Sequence, residues 1–289
     1  MVGSFIPGPP IMINKTPVNM ETTLKTLWGA SRWPGFANSS VNYEHPPAQK
    51  ILQRLEQMIT VGSCGLLHGP HGVGKSFLIH QLIQSLPEKK YQLIRLSHSS
   101  LMGGDLLRQL VCQSGHSPLF RRGDNVRLID EHFKQCHPFW PVLILEEAQD
   151  LSAQSLEEIR LLTCTNSNTK SPFSLLLVGD EGLLPRLEMG VNRALLSRLG
   201  FCLALDPWDQ PSLDAYLQCR LAEVGIHSSP FESAASELLV QSSHGCPRNL
   251  NTLLQRSMEN AAMDQRSKIL STDIHAALDA LPWIARPLP

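Results

Sequence analysis

The sequence predicts an α/β sandwich on a five-stranded parallel sheet, followed by a smaller all-helical domain. Three observations carry that prediction. Short apolar runs such as Leu66-Leu67, Val142 to Leu145 and Leu175 to Val178 alternate with amphipathic stretches up to about residue 205. Near-continuous Leu/Ile/Val strands suit a sheet covered by helices on both faces. The first of them runs straight into Gly69-Pro70-His71-Gly72-Val73-Gly74-Lys75-Ser76, which fits G-x-x-x-x-G-K-[ST] at each fixed position. After Asp206-Pro207 only helical periodicity remains.

Residues 1–40 are rich in Pro, Gly, Ser and Asn, with one helical candidate, Met20 to Trp28. Such a segment is either a flexible arm or a tether to a partner or neighbouring subunit, with Trp28, Trp33 and Phe36 as docking side chains. The α/β domain is placed at 41–206. Pro46 to Val61 sets Ile51, Leu52, Leu55 and Met58 on one helical face, and Cys64 to His68 is the first strand. Phe77 to Leu86 is a helix with Leu78, Ile79, Leu82 and Ile83 in register, and Tyr91 to Leu96 is the second strand. Helices follow at Asp105 to Gln113 and at Asn125 to Cys136, the latter with Val126, Ile129 and Phe133 turned inward. The third strand is Val142 to Leu145, then a helix around Ser155 to Thr163, then strands at Phe173 to Val178 and Phe201 to Leu205. The helical domain, 207–289, has helices at Pro211 to Val224, Glu232 to Ser243 and Pro247 to Ala262. Gly225 and Gly245 stop the first two, and Ser271 or Thr272 caps a last helix ending at Leu281.

Lys+Arg total 25 and Asp+Glu 26, so any nucleic-acid contact must come from a local patch and not from the overall field. No apolar run approaches the roughly 20 residues of a membrane span, and the N-terminus lacks the basic head and apolar core of a signal peptide. The expectation is a soluble, cytoplasmic protein with no membrane partner. Seven scattered cysteines with no C-x-x-C pair fit reduced, mostly buried thiols. The eleven histidines show no H-E-x-x-H spacing, which leaves a nucleotide's magnesium as the expected metal.

The glycine loop supplies the first half of a site for ATP and Mg²⁺. Gly69, Gly72 and Gly74 let the backbone curl so that amides of Pro70–Phe77, proline excepted, face an anion (Pro70, His71, Val73, Lys75, Ser76 and Phe77 filling the intervening positions). The helix beyond adds the positive end of its dipole. Lys75 then reaches the β- and γ-phosphates, and the Ser76 hydroxyl holds Mg²⁺. The second half is Pro141-Val-Leu-Ile-Leu-Glu146-Glu147, an apolar strand ending in two acids where parallel sheets place ligands. Glu146 steadies the metal through water, in a place where Asp is usual, which touches hydrolysis rate more than binding. Glu147 is the general base. Asp180 closes the fourth strand, either as a γ-phosphate sensor or as a turn residue. Arg198, and after it Arg193, either enter a neighbour's site to stabilise transition-state charge or line a solvated helix face. Arg248, at a helix start, is placed to fold over the nucleotide.

These parts in this order resemble an AAA+ ATPase over Tyr43 to Trp283. Four stretches are similar to the ExeA/TniB/TnsC group and its relatives IstB and MuB: LILEEAQDLS, LLLVGDEGLLPRL, the strand entry at Arg198-Leu-Gly-Phe, and GCPRNLNTLL. The resemblance implies an αβα sandwich with a helical lid. It further implies an ATP-dependent regulator of DNA transposition that assembles into a ring or filament on duplex DNA and recruits a transposase and a target-selection factor. DNA contacts in the relatives follow the second strand, which points here to His98, Ser99 and Ser100, with Arg121 and Arg122 nearby as phosphate partners or, alternatively, as a solvated loop. Two other readings stand beside this one. They are an ExeA-like secretion-associated ATPase and a nucleotide-gated adaptor that scarcely hydrolyses ATP, the latter kept open by Glu146.

Overall fold

A computed structural model describes residues 20–34, 43–97, 106–164 and 171–285. The chain divides into two compact units. One comprises Asn42–Leu213 with His244–Asn249; the other holds the described residues before 35, Asp214–Ser243, and those from Leu250 onward.

Helix α1 (Met20–Trp28) belongs to the second unit; the first contains α2 (Pro46–Thr60), strand β1 (Cys64–His68), α3 (Lys75–Ser85) and β2 (Tyr91–Leu96). Next come α4 (Leu106–Gln113), α5 (Arg122–Gln135), β3 (Trp140–Leu145), α6 (Ala153–Leu162) and β4 (Ser174–Gly179). The short helices α7 (Leu183–Glu188) and α8 (Arg193–Leu196) precede β5 (Leu199–Ala204). All described pairings are parallel, in the order β2-β3-β4-β1-β5. Alternate residues of each central strand enter opposite cores. Leu143, Leu145, Leu175 and Leu177 pack with Leu107, Ile129 and Ile159 from α4, α5 and α6. Val142, Ile144, Leu176 and Val178 pack with Leu55, Met58, Leu78 and Leu82 from α2 and α3. β4 is buried at every residue, whereas β5, at the sheet edge, alternates between half-buried and exposed.

Three expectations need correction. The helix expected from Asn125 starts at Arg122. The Asn125 side chain is buried and holds the backbone of Leu119 at both ends, accepting from its N–H at 2.7 Å and donating to its carbonyl at 3.0 Å. Arg122 is therefore helical and not part of the loop. The last long helix is capped neither by Ser271 nor by Thr272; the Asp273 carboxylate accepts from the Leu270 N–H at 2.8 Å. The thiols are all free, but only Cys64, Cys136 and Cys246 are buried, while Cys112 and Cys202 are exposed. Between β4 and β5, α7, a 3₁₀ turn at Gly190–Asn192 and α8 are each six residues or fewer, too short for periodicity to announce.

The second unit is helical: α1 (Met20–Trp28), most of α9 (Gln210–Glu223), α10 (Ser233–Ser242), α11 (Pro247–Met263) from Leu250, α12 (Ser271–Ala280) and α13 (Pro282–Ala285). Its N-terminal segment is docked within it. Leu24 and Ala30 are buried, the Trp28 indole donates to the Ser267 carbonyl at 2.8 Å, and Arg32 pairs with Glu223. Phe36 lies outside the described residues. No described helix is long and apolar enough to cross a membrane.

Candidate nucleotide-binding site

The loop between β1 and α3 has positive φ at Gly69, Gly72 and Gly74. At Gly69 a Cβ would collide with the Leu205 carbonyl, and at Gly72 it would lie 2.6 Å from the Cys246 sulfur. Gly74, the residue before α3, has nothing within 4 Å of its Cβ position and no side chain to cap the helix. The loop's carbonyls are tied back in sequence. Lys75 Nζ donates to the Gly69 and Pro70 oxygens at 2.6 and 2.9 Å, and the Cys246 thiol lies 3.4 Å from that of His71. The Arg248 N–H donates to the Gly72 carbonyl at 3.4 Å and the Trp208 indole to that of Val73 at 3.0 Å. Each of the five consecutive carbonyls from Gly69 to Val73 thus has a donor within the protein. The amides that remain, with the uncapped turn of an 11-residue helix, form the cradle an anion needs.

The acids converge on Lys75. Burial and the neighbouring Arg248 pull the lysine's pKa down, while Glu147, Asp180 and Glu181 oppose that shift. Glu147 leaves β3 in the left-handed region, φ 53°. Its Oε2 accepts from Gln149 Nε2 at 2.8 Å. The Gln149 Oε1 accepts in turn from the Asp180 N–H at 3.2 Å. The Asp180 carboxylate closes its own turn through Gly182 N–H at 2.9 Å and approaches His71 Nε2 at 3.4 Å, so it touches the phosphate loop while shaping the end of β4. Glu146 is only 6% exposed and Arg95, from β2, pairs with it at 2.5 Å. One carboxylate oxygen is therefore committed before any metal arrives. Ser76 is exposed at the start of α3, and Phe77 beside it is exposed too. Among the described residues no group of three or more His, Cys, Asp or Glu is arranged to hold a metal alone.

Lys75, Glu147, Asp180 and Arg248 come together at the glycine loop; Arg198, Arg193, Arg121 and Arg122 do not join them. Arg198 precedes β5, whose register pairs Leu199 with Cys64. It lines a cleft of about 540 Å³ with Cys64, Thr163 and Ser171. The phosphate loop leaves the other end of β1, about 13 Å away at strand rise. Arg193 is exposed at the start of α8. Arg121 is exposed, and Arg122 pairs with the buried Glu158 at 3.0 Å. His98, Ser99 and Ser100 lie outside the described residues.

Periodicity and motif spacing missed several members of this site. Gln149 sits in plain view in Glu-Ala-Gln-Asp, and Arg95 is a lone charge in an apolar strand. Nothing local marks Trp208 or His45, whose rings stack at 4.0 Å and 7° beside the Val73 carbonyl. Burial lowers the pKa of His45, against the opposing charge of Asp209. Arg186, on α7, donates to the Gln149 and Leu151 carbonyls and clamps the turn after β3.

Residues 59–187 match the family model described as AAA domain. General secretion pathway protein A of Aeromonas hydrophila is 28% identical over 221 residues, 75% of this chain; the chain spans 40% of that relative's length. Among solved structures, Cdc6p from Pyrobaculum aerophilum aligns over 84% of this chain and 69% of its own, with a TM-score of 0.65 and 15% identity. The Aeropyrum pernix ORC1 protein in complex with DNA aligns over 85% and 68%, with a TM-score of 0.63 and 16% identity. At these identities the structural likeness shows the fold, the P-loop AAA+ sandwich with a helical C-terminal region. The family match and the relatives together support an AAA+ ATPase.

Proposed function

We propose that the protein binds and hydrolyses ATP as an oligomer and regulates DNA transposition, assembling on duplex DNA and recruiting a transposase and a target-selection factor. The observation that carries the nucleotide reading is the loop with positive φ at Gly69, Gly72 and Gly74 that runs into the start of α3, a helix end with no side-chain cap, beside Lys75. Lys75 exchanges two neutral carbonyl acceptors for anionic phosphate oxygens. Glu147 takes the proton of the attacking water. Ser76 and, through water, Glu146 would hold a magnesium ion, which would supply positive charge to the phosphates. The His45–Trp208 stack, next to Val73, offers an apolar face to the base. Arg198, remote from its own loop, serves a neighbouring copy, and residues 207–289 act as the lid.

The DNA part of the reading is supported by the four sequence stretches LILEEAQDLS, LLLVGDEGLLPRL, Arg198-Leu-Gly-Phe and GCPRNLNTLL, and by the Aeropyrum pernix ORC1 protein, a protein of this fold solved in complex with DNA. Sedimentation with duplex DNA tests it, since ATP-dependent co-sedimentation at low salt is expected and its absence would remove the transposition role. A second reading, a secretion-associated ATPase, is favoured by the name of the Aeromonas relative. A third, a nucleotide-gated adaptor, is favoured by the Arg95–Glu146 pair, which competes with the metal. Single-turnover hydrolysis by the wild type and by Glu147→Gln separates enzyme from adaptor. Equal inertness in both identifies the adaptor.

A further inference from the structure

The geometry points to Gln149 as the positioning residue for the hydrolytic carboxylate, tying Glu147 to the end of β4. The inference rests on the reading of Glu147 as the base and deepens it. A carboxylate only accepts hydrogen bonds and a backbone N–H only donates, so the two partners set which way the Gln149 amide points. Its NH₂ group faces Glu147 Oε2 at 2.8 Å and its oxygen faces the Asp180 N–H at 3.2 Å. Three features hold the side chain there. Arg186 binds the Gln149 and Leu151 carbonyls, which pins the backbone on either side of Asp150. Gly179 leaves room, since a Cβ there would sit 2.8 Å from Gln149 Oε1. The chain at Glu147 has already turned into the left-handed region, so the acid and the amide two residues on face one another.

The bridge has a second consequence. The Asp180 carboxylate reaches His71 of the phosphate loop at 3.4 Å. Whatever moves His71 or the end of β4 therefore acts on Glu147 through one amide. Asp180 and Gln149 in series link the phosphate loop to the group that activates water, and Gln149, which touches Glu147 and not the loop, governs turnover more than nucleotide affinity.

The experiment compares wild type, Gln149→Ala, Gln149→Glu, Glu147→Gln and the Glu147→Gln/Gln149→Ala double variant. It uses the full chain, with affinity read from a fluorescent ATP analogue and turnover read separately. Gln149→Ala is expected to lower kcat by about 10- to 100-fold, the usual effect of removing a group that orients a catalytic one. Its nucleotide Kd should stay within about twofold. Gln149→Glu keeps the acceptor for Asp180 but loses the donor for Glu147, so it should lose turnover as well while preserving the fold. In the Glu147→Gln background Gln149→Ala should have no further effect on turnover, since the two act as one unit. Without nucleotide, the Gln149 side-chain amide resonance, identified by its loss in Gln149→Ala, should move in one further variant, Glu147→Ala, which removes its acceptor. A Gln149→Ala enzyme with wild-type kcat overturns the inference, as does a parallel fall of kcat and affinity or an amide resonance indifferent to Glu147. If wild type itself turns over no faster than Glu147→Gln, the base assignment fails, and this inference fails with it.

Discussion

Arg122 donates from Nε to the Oε1 of Glu158 across 3.0 Å, and Glu158 is only 1% exposed. A residue expected to face DNA thus also neutralises a buried carboxylate of α6. Removing Arg122 leaves that charge inside without its guanidinium, and because Arg122 itself is partly solvated the cost is smaller than for a fully buried pair.

Arg122→Ala should therefore destabilise the protein by about 1–3 kcal/mol in urea unfolding, the cost of taking a charged hydrogen-bond partner from a buried carboxylate. Arg121→Ala, exposed before α5, should change stability by less than about 0.5 kcal/mol. On the DNA-binding reading, it should instead lower the slope of log affinity against log salt by about 1. An unchanged slope takes Arg121 out of the interface.

Lys75→Ala should weaken ATP binding by about 100-fold, the upper range for a hydrogen bond to a charged group. The fold should persist, because the lysine's two present acceptors are carbonyls of its own loop. Retained affinity in a direct binding assay would falsify the phosphate-loop assignment.

Arg198→Ala should leave nucleotide affinity of the isolated subunit within about twofold, since Arg198 stands at the opposite end of β1 from the loop. Turnover in the assembled state should drop by about 10³-fold or more, as for an arginine supplied in trans. A loss of affinity in the dilute subunit points instead to action within one chain.

Asp273→Asn should destabilise the helical unit by about 2–4 kcal/mol, since it breaks a buried charge pair and a helix cap together. Asp273 is 4% exposed and accepts from Arg266 at 2.7 and 2.8 Å and from Leu270 N–H at 2.8 Å. Burial pushes its pKa up, but Arg266 and the Leu270 amide outweigh it and hold the carboxyl below the ordinary value. The sign follows: this stability is present above the unfolded-state pKa of about 3.9 and is lost as pH falls through the lower, folded-state value. Thermal unfolding of wild type should show the loss below about pH 4, and the Asn variant should lack that step.

Much of the fold is legible in one dimension because strand and helix periods are local properties. Cys64–His68, Tyr91–Leu96 and Met20–Trp28 fall where their residue patterns place them. The glycine loop is legible for the same reason: positive φ at Gly69, Gly72 and Gly74 is a demand that neighbouring residues state for themselves. Strand order is not local. β1 lies between β4 and β5, more than a hundred residues away in sequence.

What the sequence by itself determined is the architecture and the phosphate loop, since apolar spacing and glycine placement carry that information over a few residues. Only the tertiary structure decided who the charged and polar side chains meet. Arg95 reaches Glu146, Arg122 reaches Glu158, and Gln149 joins Glu147 to the end of β4. The buried carboxylates Glu146 and Glu158, taken from water, must find partners, and for these as for the half-buried Glu147 the folded chain sets which one is within reach.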